Sequence, residues 1–163
     1  MKKKPHLLRG PLKCWDIFSM HLVEQATDFM KHEEIEVLNS FKNKFDWSFD
    51  VETIITNKEF QALVLTDFKQ EIQWVNKGFT KMTGYSAKYA KGKKPNFLQG
   101  KDTSPKTLNN IRGYLKEDIH FKETIANYRK NGEMYYCNIE IYPLKDATNA
   151  TTHLLALEKE VRL

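Results

Sequence analysis

The chain has little of what marks a disulfide scaffold, a collagen-like protein or a membrane-spanning protein. Its two cysteines, Cys14 and Cys137, lie far apart and match no metal-binding spacing, so we expect reduced thiols in a cytoplasm. Seven glycines and five prolines in 163 residues are too few for a collagenous or low-complexity chain. The longest apolar runs, such as Ala62–Leu65, are far shorter than the ~20 residues of a membrane-spanning helix.

Positive charge exceeds negative charge, with 26 Lys and Arg against 21 Asp and Glu. Basic clusters at the N-terminus and in residues 88–94 could hold phosphates, but solvated segments explain them equally well, so nucleic-acid binding is the weaker hypothesis. No apolar signal-peptide core follows the basic start, and we expect no export. The length and the 40% hydrophobic content predict one compact domain with an appendage.

Apolar residues recur at three- and four-residue steps from residue 12 to about residue 45, which is typical of an amphipathic helix. The charged stretch 31–34 interrupts this pattern, so we expect two helices joined by a turn or bend. Cap-type residues around Asp50 predict a short third helix that ends near Asn57. We interpret residues 1–58 as a helical extension for packing or dimerisation. Its apolar stripe comprises Trp15, Phe18, Leu22, Ala26, Phe29, Ile35, Leu38, Phe41 and Phe45.

From residue 61 the pattern changes to short extended segments. Residues 62–66 and 72–75 flank a polar turn and predict a hairpin. Asn76 and Gly84 suit the start and the end of a short helix, and Ser104-Pro105 suits the start of a longer one.

Three further strands are predicted at 121–130, 133–144 and 152–159. Asn131-Gly132 predicts a type I′ turn between the first two, and Pro143 is expected to close the second. The order of elements predicts an α+β fold, in which a five-stranded antiparallel sheet has its helices gathered on one face. We place this domain at residues 59–163.

Alternation along these strands assigns apolar residues to both faces of the sheet. Tyr142, Leu155 and Leu157 fall on the face opposite the domain's own helices, and a face this apolar needs a cover. The N-terminal helices, with Trp15, Phe18 and Leu22, are the expected cover. A second subunit is the alternative.

Five segments in this order resemble a PAS domain, and the stretch 97–112 is closest to the light-oxygen-voltage branch of that family. They are Ala62–Asp67, Ile72–Asn76, Phe79–Tyr85, Gly92–Gly100 and Asn127–Gly132. The resemblance covers residues 60–161. It implies a sensor fold, whose cupped sheet and helices enclose a small molecule or a packed core.

Light-oxygen-voltage domains hold a flavin, and a cysteine thiol attacks it after photoexcitation. The segment Gly92–Gly100 is similar to the motif that carries this cysteine, but Pro95 stands in the cysteine's place. Because proline has no thiol, the resemblance implies that the thiol–flavin adduct cannot form there.

The resemblance also assigns pocket positions to Gln99, Arg112, Asn127, Cys137 and Glu158. The first three match flavin-contacting residues, whereas Cys137 replaces an amide and Glu158 replaces a glutamine. An ionised carboxylate only accepts hydrogen bonds, so Glu158 would have to be protonated to copy a donor. Lys94 and Asn96 depart from the pattern as well. We therefore expect no resident cofactor and a cavity filled by side chains, with a flavin as the alternative.

The sequence contains no metal-ligand spacing, phosphate loop or nucleophile elbow, and we expect no enzymatic activity. No output module follows the last predicted strand, so a signal should leave by contact. The resulting hypothesis is a stand-alone PAS sensory or protein-interaction module. It would act as a homodimer or by docking on a signalling partner, with or without a small ligand. The alternatives are a flavin-binding light or redox receptor without a cysteine adduct, and a structural adaptor with a solid core.

Overall fold

A computed structural model describes the backbone of residues 12–162 and the side chains of residues 17–23, 29 and 31–162. The helices are α1 (Leu12–Phe45), α2 (Val51–Asn57), α3 (Lys77–Thr83), α4 (Ala87–Ala90) and α5 (Pro105–Glu117), with a 3-10 helix at Pro95–Leu98. The strands are β1 (Ala62–Asp67), β2 (Ile72–Val75), β3 (Phe121–Tyr128), β4 (Met134–Lys145) and β5 (Thr151–Val161). They form an antiparallel sheet in the order β2-β1-β5-β4-β3, which confirms the predicted α+β fold.

The sheet separates two hydrophobic cores. On one face, α3, α4, α5 and the 3-10 helix pack over inward-facing residues such as Val64, Ile125 and Ile139. On the other face, α1 and α2 pack over Leu63, Leu155 and neighbouring residues. Alternation along β5 sends successive side chains to the two cores, so this strand contacts both.

The first helix is continuous, which differs from the two helices that the charged stretch 31–34 suggested. The reason is local: Lys31, Glu33 and Glu34 are good helix formers, and no glycine or proline interrupts them. Two of these side chains also reach the rest of the domain. Lys31 donates to the carbonyl of Thr56 at 3.1 Å, and Glu33 pairs with Lys77 at 2.8 Å.

The cover of the outer sheet face is in the same chain, but Phe18 and Leu22 do not provide it. Phe18 and Leu22 are 58% and 49% exposed, and the side chain of Trp15 lies outside the described residues. The second half of α1, the segment after it and α2 supply the contacts instead. The buried members of this cover are Leu38, Trp47, Val51 and Ile55, with Ile35, Phe41 and Phe45 at its edge.

The predicted caps are confirmed. Asn76 precedes α3 and accepts from the amide of Phe79 at 2.9 Å, and Gly84 ends that helix at a φ of 76°. Ser104 accepts from the amide of Thr107 at the start of α5.

Two details of the β3–β5 region differ from the prediction. In the turn between β3 and β4, Gly132 has a positive φ but Asn131 does not, so the turn is not type I′. Pro143 lies within β4, opposite Leu154 of β5, and does not end the strand. It is tolerated because β3 begins at Phe121 opposite Ile141, which leaves β4 without a partner on that side at residue 143.

Within residues 12–162, no helix combines the length and the apolar character needed to cross a membrane. The division of the chain at residue 58 and a cytoplasmic location stay predictions.

Candidate functional site

A cavity of about 310 Å³ lies between the inner sheet face, the 3-10 helix and α5. This volume is within the range of small-molecule sites, roughly 300 to 1,000 Å³. The apolar part of its lining comes from Val64, Pro95, Leu98, Leu108, Ile111, Leu115, Ile125, Ile139, Ile141, Leu154 and Ala156. The polar part comes from Thr66, Gln70, Lys94, Asn96, Gln99, Arg112, Asn127 and Glu158. The expectation of a cavity filled by side chains is therefore wrong.

Four of the five predicted pocket residues line this cavity, namely Gln99, Arg112, Asn127 and Glu158. Cys137 does not. Its thiol is fully buried in the inner core, and burial raises its pKa well above the ordinary thiol value. The thiol is therefore protonated near neutral pH, and it is a small packing group rather than a reactive one.

Glu158 is the most unusual group in the wall. It is 6% exposed, and its Oε2 atom has no hydrogen-bond partner among the described residues. Burial raises the pKa of this carboxyl to about 7. A buried polar atom without a partner is costly unless something outside the protein satisfies it. This carboxyl therefore suits a ligand in the cavity.

A second unpartnered atom in the wall is the hydroxyl of Thr66, which the sequence reasoning did not single out. Thr66 and Glu158 lie four positions apart in register, because Thr66 pairs with Leu154 and Ala62 pairs with Glu158. Four residues of strand correspond to roughly 13 Å. The two unsatisfied polar atoms thus mark separate parts of the same wall. The period-two alternation that places Val64 inward could have identified Thr66 as well.

Asn127 borders a buried tyrosine. Tyr135 lies directly opposite Asn127 in the β3–β4 pairing and is 3% exposed. Its hydroxyl lies near Asn127 but forms no hydrogen bond of normal geometry. Burial, and to a lesser extent the nearby Glu158, raise the pKa of Tyr135 strongly. This phenol is neutral at ordinary pH.

The loop that carries Gln99 is fixed to β3. A methyl group at Gly100 would lie 2.3 Å from the ring of Tyr128, so only glycine allows this approach. The hydroxyl of Tyr128 donates to Asp102 at 2.5 Å, and the hydroxyl of Thr103 donates to the carbonyl of Ala126 at 2.7 Å. Gln99 therefore enters the cavity wall from a rigid loop.

The basic residues of the cavity lie at its solvent side. Lys94 and Arg112 are both exposed, and the guanidinium of Arg112 donates to Asn109 at 2.9 Å. They form a cationic rim on a cavity whose wall is mostly apolar. Over the described residues, no group of three or more His, Cys, Asp or Glu side chains could hold a metal ion.

A family model described as "PAS domain" matches residues 61–161, which is more than half of the chain. This chain belongs to the PAS domain family. The family model thus confirms the predicted family, and the structure confirms the predicted five-stranded sheet. The position of Pro95 in the place of a cysteine stays a prediction.

Several relatives of this PAS domain are named as light receptors. A blue-light photoreceptor of Listeria innocua is 33% identical over 116 residues, which cover 69% of this chain and 46% of that protein. Blue-light-activated histidine kinase 2 of Erythrobacter litoralis is 28% identical over 61% of this chain and 30% of that protein. This chain thus spans less than half the length of either relative.

Solved structures agree with the PAS domain fold. The light-state LOV domain of the blue-light photoreceptor Aureochrome1 superposes with a TM-score of 0.61 at 25% identity, over 63% of this chain and 83% of that one. The LOV domain of an Erythrobacter litoralis blue-light-activated histidine kinase has a TM-score of 0.60 at 27% identity, over 66% of this chain and all of that one. A third, with a TM-score of 0.61 at 28% identity over 63% of this chain and 78% of that one, comes from a study of a flavin analogue in a light-oxygen-voltage domain.

These comparisons correct the expectation of a protein without a cofactor. That expectation considered single positions of the motif, where substitutions would remove hydrogen bonds to a flavin. It could not include the volume left open by the surrounding apolar side chains, nor polar groups outside the motif such as Thr66.

Proposed function

We propose that this PAS domain is a light or redox receptor that binds a flavin without a cysteine adduct. The observation that carries the proposal is the open cavity, whose buried wall holds unpartnered polar atoms at Thr66 and Glu158. Support comes from relatives and solved neighbours that are named as blue-light photoreceptors.

The residues present fit a planar heteroaromatic ring. The apolar wall, with Leu98 on the helix side and Ile125 and Ile139 on the sheet side, would pack against the faces of the ring. Gln99, Asn127 and Glu158 would meet its polar edge.

The exposed cations Lys94 and Arg112 would hold an anionic phosphate tail at the solvent side. A bound flavin supplies absorption of blue light and one-electron chemistry. Pro95 lines the same cavity and offers no thiol.

The output would leave by contact rather than by turnover. Ala156 and Glu158 face the cavity, while Leu155 and Leu157 on the same strand pack in the core beneath α1 and α2. A change at the cavity can therefore bias the position of these helices, to the extent that the ligand prefers one arrangement.

A homodimer or a signalling partner would receive this change at the first part of α1. Large apolar side chains are exposed there, including Ile17 at 68%, Met20 at 71% and Phe29 at 64%. An exposed apolar patch of this kind is typical of an interaction surface.

Light scattering coupled to gel filtration tests whether this surface forms a homodimer. Phe29→Glu should shift a dimer toward the monomer. A wild-type monomer at all concentrations would contradict the homodimer and leave the signalling partner as the receiver.

Flavin binding is tested by blocking the cavity. Ala156 lines the wall beside Glu158, so Ala156→Phe should fill the space and weaken flavin binding about tenfold or more. Ala147→Phe, in the exposed turn before β5, is the matched control and should bind like the wild type. Quenching of flavin fluorescence measures both. Equal affinity in the three proteins would contradict binding in this cavity.

A further inference from the structure

Glu158 is enclosed by neutral groups. It lies on β5 between Ala62 of β1 and Ile139 of β4, with its carboxyl at the cavity wall. The titratable side chains that face it come from β4, namely Tyr135 and Cys137, and burial keeps both neutral near pH 7. From β3, the uncharged amide of Asn127 lines the same cavity.

No cation of the described chain offsets a charge on this carboxyl. Lys94 and Arg112, the cations of the 3-10 segment and of α5, lie at the exposed rim, and burial alone accounts for the raised pKa of Glu158. An ionised carboxylate without a cation or full hydrogen bonding is expensive to bury, whereas a neutral carboxylic acid is much less so. A neutral carboxylic acid carries one O–H donor, which needs an acceptor.

The cavity is the place from which that acceptor can come, since Oε2 has no partner in the described protein. We propose that Glu158 is the specificity-determining residue of the cavity. As a neutral carboxylic acid it donates a hydrogen bond to a carbonyl oxygen or ring nitrogen on the buried edge of the ligand. Where the free carboxyl is ionised, binding therefore takes up one proton. The balance is one carboxylate, one proton from solvent and one ligand, which combine into the neutral acid hydrogen-bonded to the ligand. The inference rests on the proposed flavin site. It adds that the site selects ligands with a hydrogen-bond acceptor at the buried edge.

Two consequences distinguish this from a structural role. The affinity for a ligand with an acceptor at its buried edge should fall as pH rises through about 7, because the carboxyl must then be reprotonated on binding. A ligand with only donors at that edge should show the opposite trend and bind more tightly as pH rises, because the ionised carboxylate accepts hydrogen bonds.

The test uses the wild type and Glu158→Gln, titrated with riboflavin from about one unit below to about two units above the pKa of about 7. In the wild type the Kd should rise about tenfold per pH unit on the alkaline side. Glu158→Gln keeps an N–H donor that does not titrate, and its Kd should stay constant. Calorimetry of riboflavin binding in two buffers of different ionisation enthalpy should count about one proton taken up by the wild type on the alkaline side, and none by the variant.

A wild-type Kd that does not change with pH would overturn the inference and leave the proposed flavin site standing. So would a Glu158→Gln variant with the wild-type slope, since another group would then titrate. Folded wild-type protein that binds neither riboflavin nor a flavin with a phosphate tail at any pH would overturn the proposed function and the inference together. The proton count needs only the wild type, so it decides the question even where Glu158→Gln does not fold.

Discussion

Pro95 and Glu158 line the same cavity, the first from the 3-10 helix and the second from the last strand of the sheet. The resemblance to light-oxygen-voltage domains places the proline at the position of the reactive cysteine and the acid at the position of a glutamine, and both assignments stay predictions. A thiol can therefore be introduced without changing the rest of the wall.

Pro95→Cys should convert a non-covalent site into one that forms a bond to the flavin. The thiol would enter the wall directly, and we expect blue light to remove the blue absorbance of the bound flavin, with recovery in the dark. Absorption spectroscopy of the flavin-loaded protein measures this. Pro95→Ser, which has no thiol, is the control and should show no such cycle. Identical light responses of the two variants would mean that residue 95 lies away from the reactive part of the ring.

Glu140 should make the fold sensitive to acid. This outer-face carboxyl is 8% exposed, and although burial opposes its ionisation, hydrogen bonds from Tyr142, Lys58, His120 and Lys122 hold its pKa at about 2. Because the folded pKa lies below the unfolded value, the stabilisation is present above about pH 4.5 and is lost as pH falls toward 2.

Glu140→Gln should therefore lower the free energy of unfolding at neutral pH by about 1 to 3 kcal/mol. The partner cations are partly exposed, which keeps the effect below that of a fully buried pair. Denaturant unfolding between neutral pH and about pH 2 measures the difference from the wild type, which should vanish in acid. The exposed Glu117→Gln is the control. A difference that stays constant with pH would show that packing, and not charge, stabilises this site.

At Glu34 the pH dependence of stability should have the opposite sign to that at Glu140. It is 7% exposed, accepts from the amide of Asn76 at 2.5 Å, and has a pKa raised mainly by burial. A raised folded pKa means that stability is lost as pH rises through it. Glu34→Gln keeps an acceptor oxygen and removes the charge, so it should raise the Tm at neutral pH and lose this advantage in acid. At this chain length, each kcal/mol of change in the free energy of unfolding shifts the Tm by about 2 to 4 °C.

The matched control for Glu34 is Glu36→Gln, an exposed position on the same helix. A lower Tm for Glu34→Gln at neutral pH would show that the carboxylate is stabilised by Lys31 and Lys77 more than burial penalises it.

Two glycines should respond to alanine in opposite directions. A methyl group at Gly78 of α3 would lie 1.7 Å from the carbonyl oxygen of Gln61, so Gly78→Ala must displace backbone and should cost several kcal/mol, roughly 2 to 4. Gly113 of α5 has open space around it, and Gly113→Ala should stabilise the protein by about 0.5 to 1 kcal/mol. Chemical denaturation measures both. Equal effects would contradict the close approach of α3 to the segment before β1.

The fold could be predicted from the sequence because its signals are local. Strand alternation, the Asn76 cap and the Ser104-Pro105 start each depend on a few neighbouring residues, and the structure contains all three. The position of Pro143 could not be predicted in this way, because its tolerance depends on where β3 begins, which is a property of the sheet.

The cavity could be predicted only in part. Gln99, Asn127 and Glu158 are identified by a motif, but the open volume depends on how side chains from β1, β3, β4, β5 and α5 fit together. An amino-acid sequence contains no measure of such a volume. The single-helix form of α1 escapes prediction for a similar reason, since charged residues at 31–34 suit both a turn and a helix that contacts the domain.

The most direct test of the account is the absorption spectrum of the full chain after incubation with a flavin and removal of the unbound flavin by gel filtration. The account predicts that the protein fraction retains flavin absorbance, that acid releases the flavin unmodified, and that blue light alters the spectrum without a covalent bond to the protein. Folded protein that retains no flavin absorbance would contradict it.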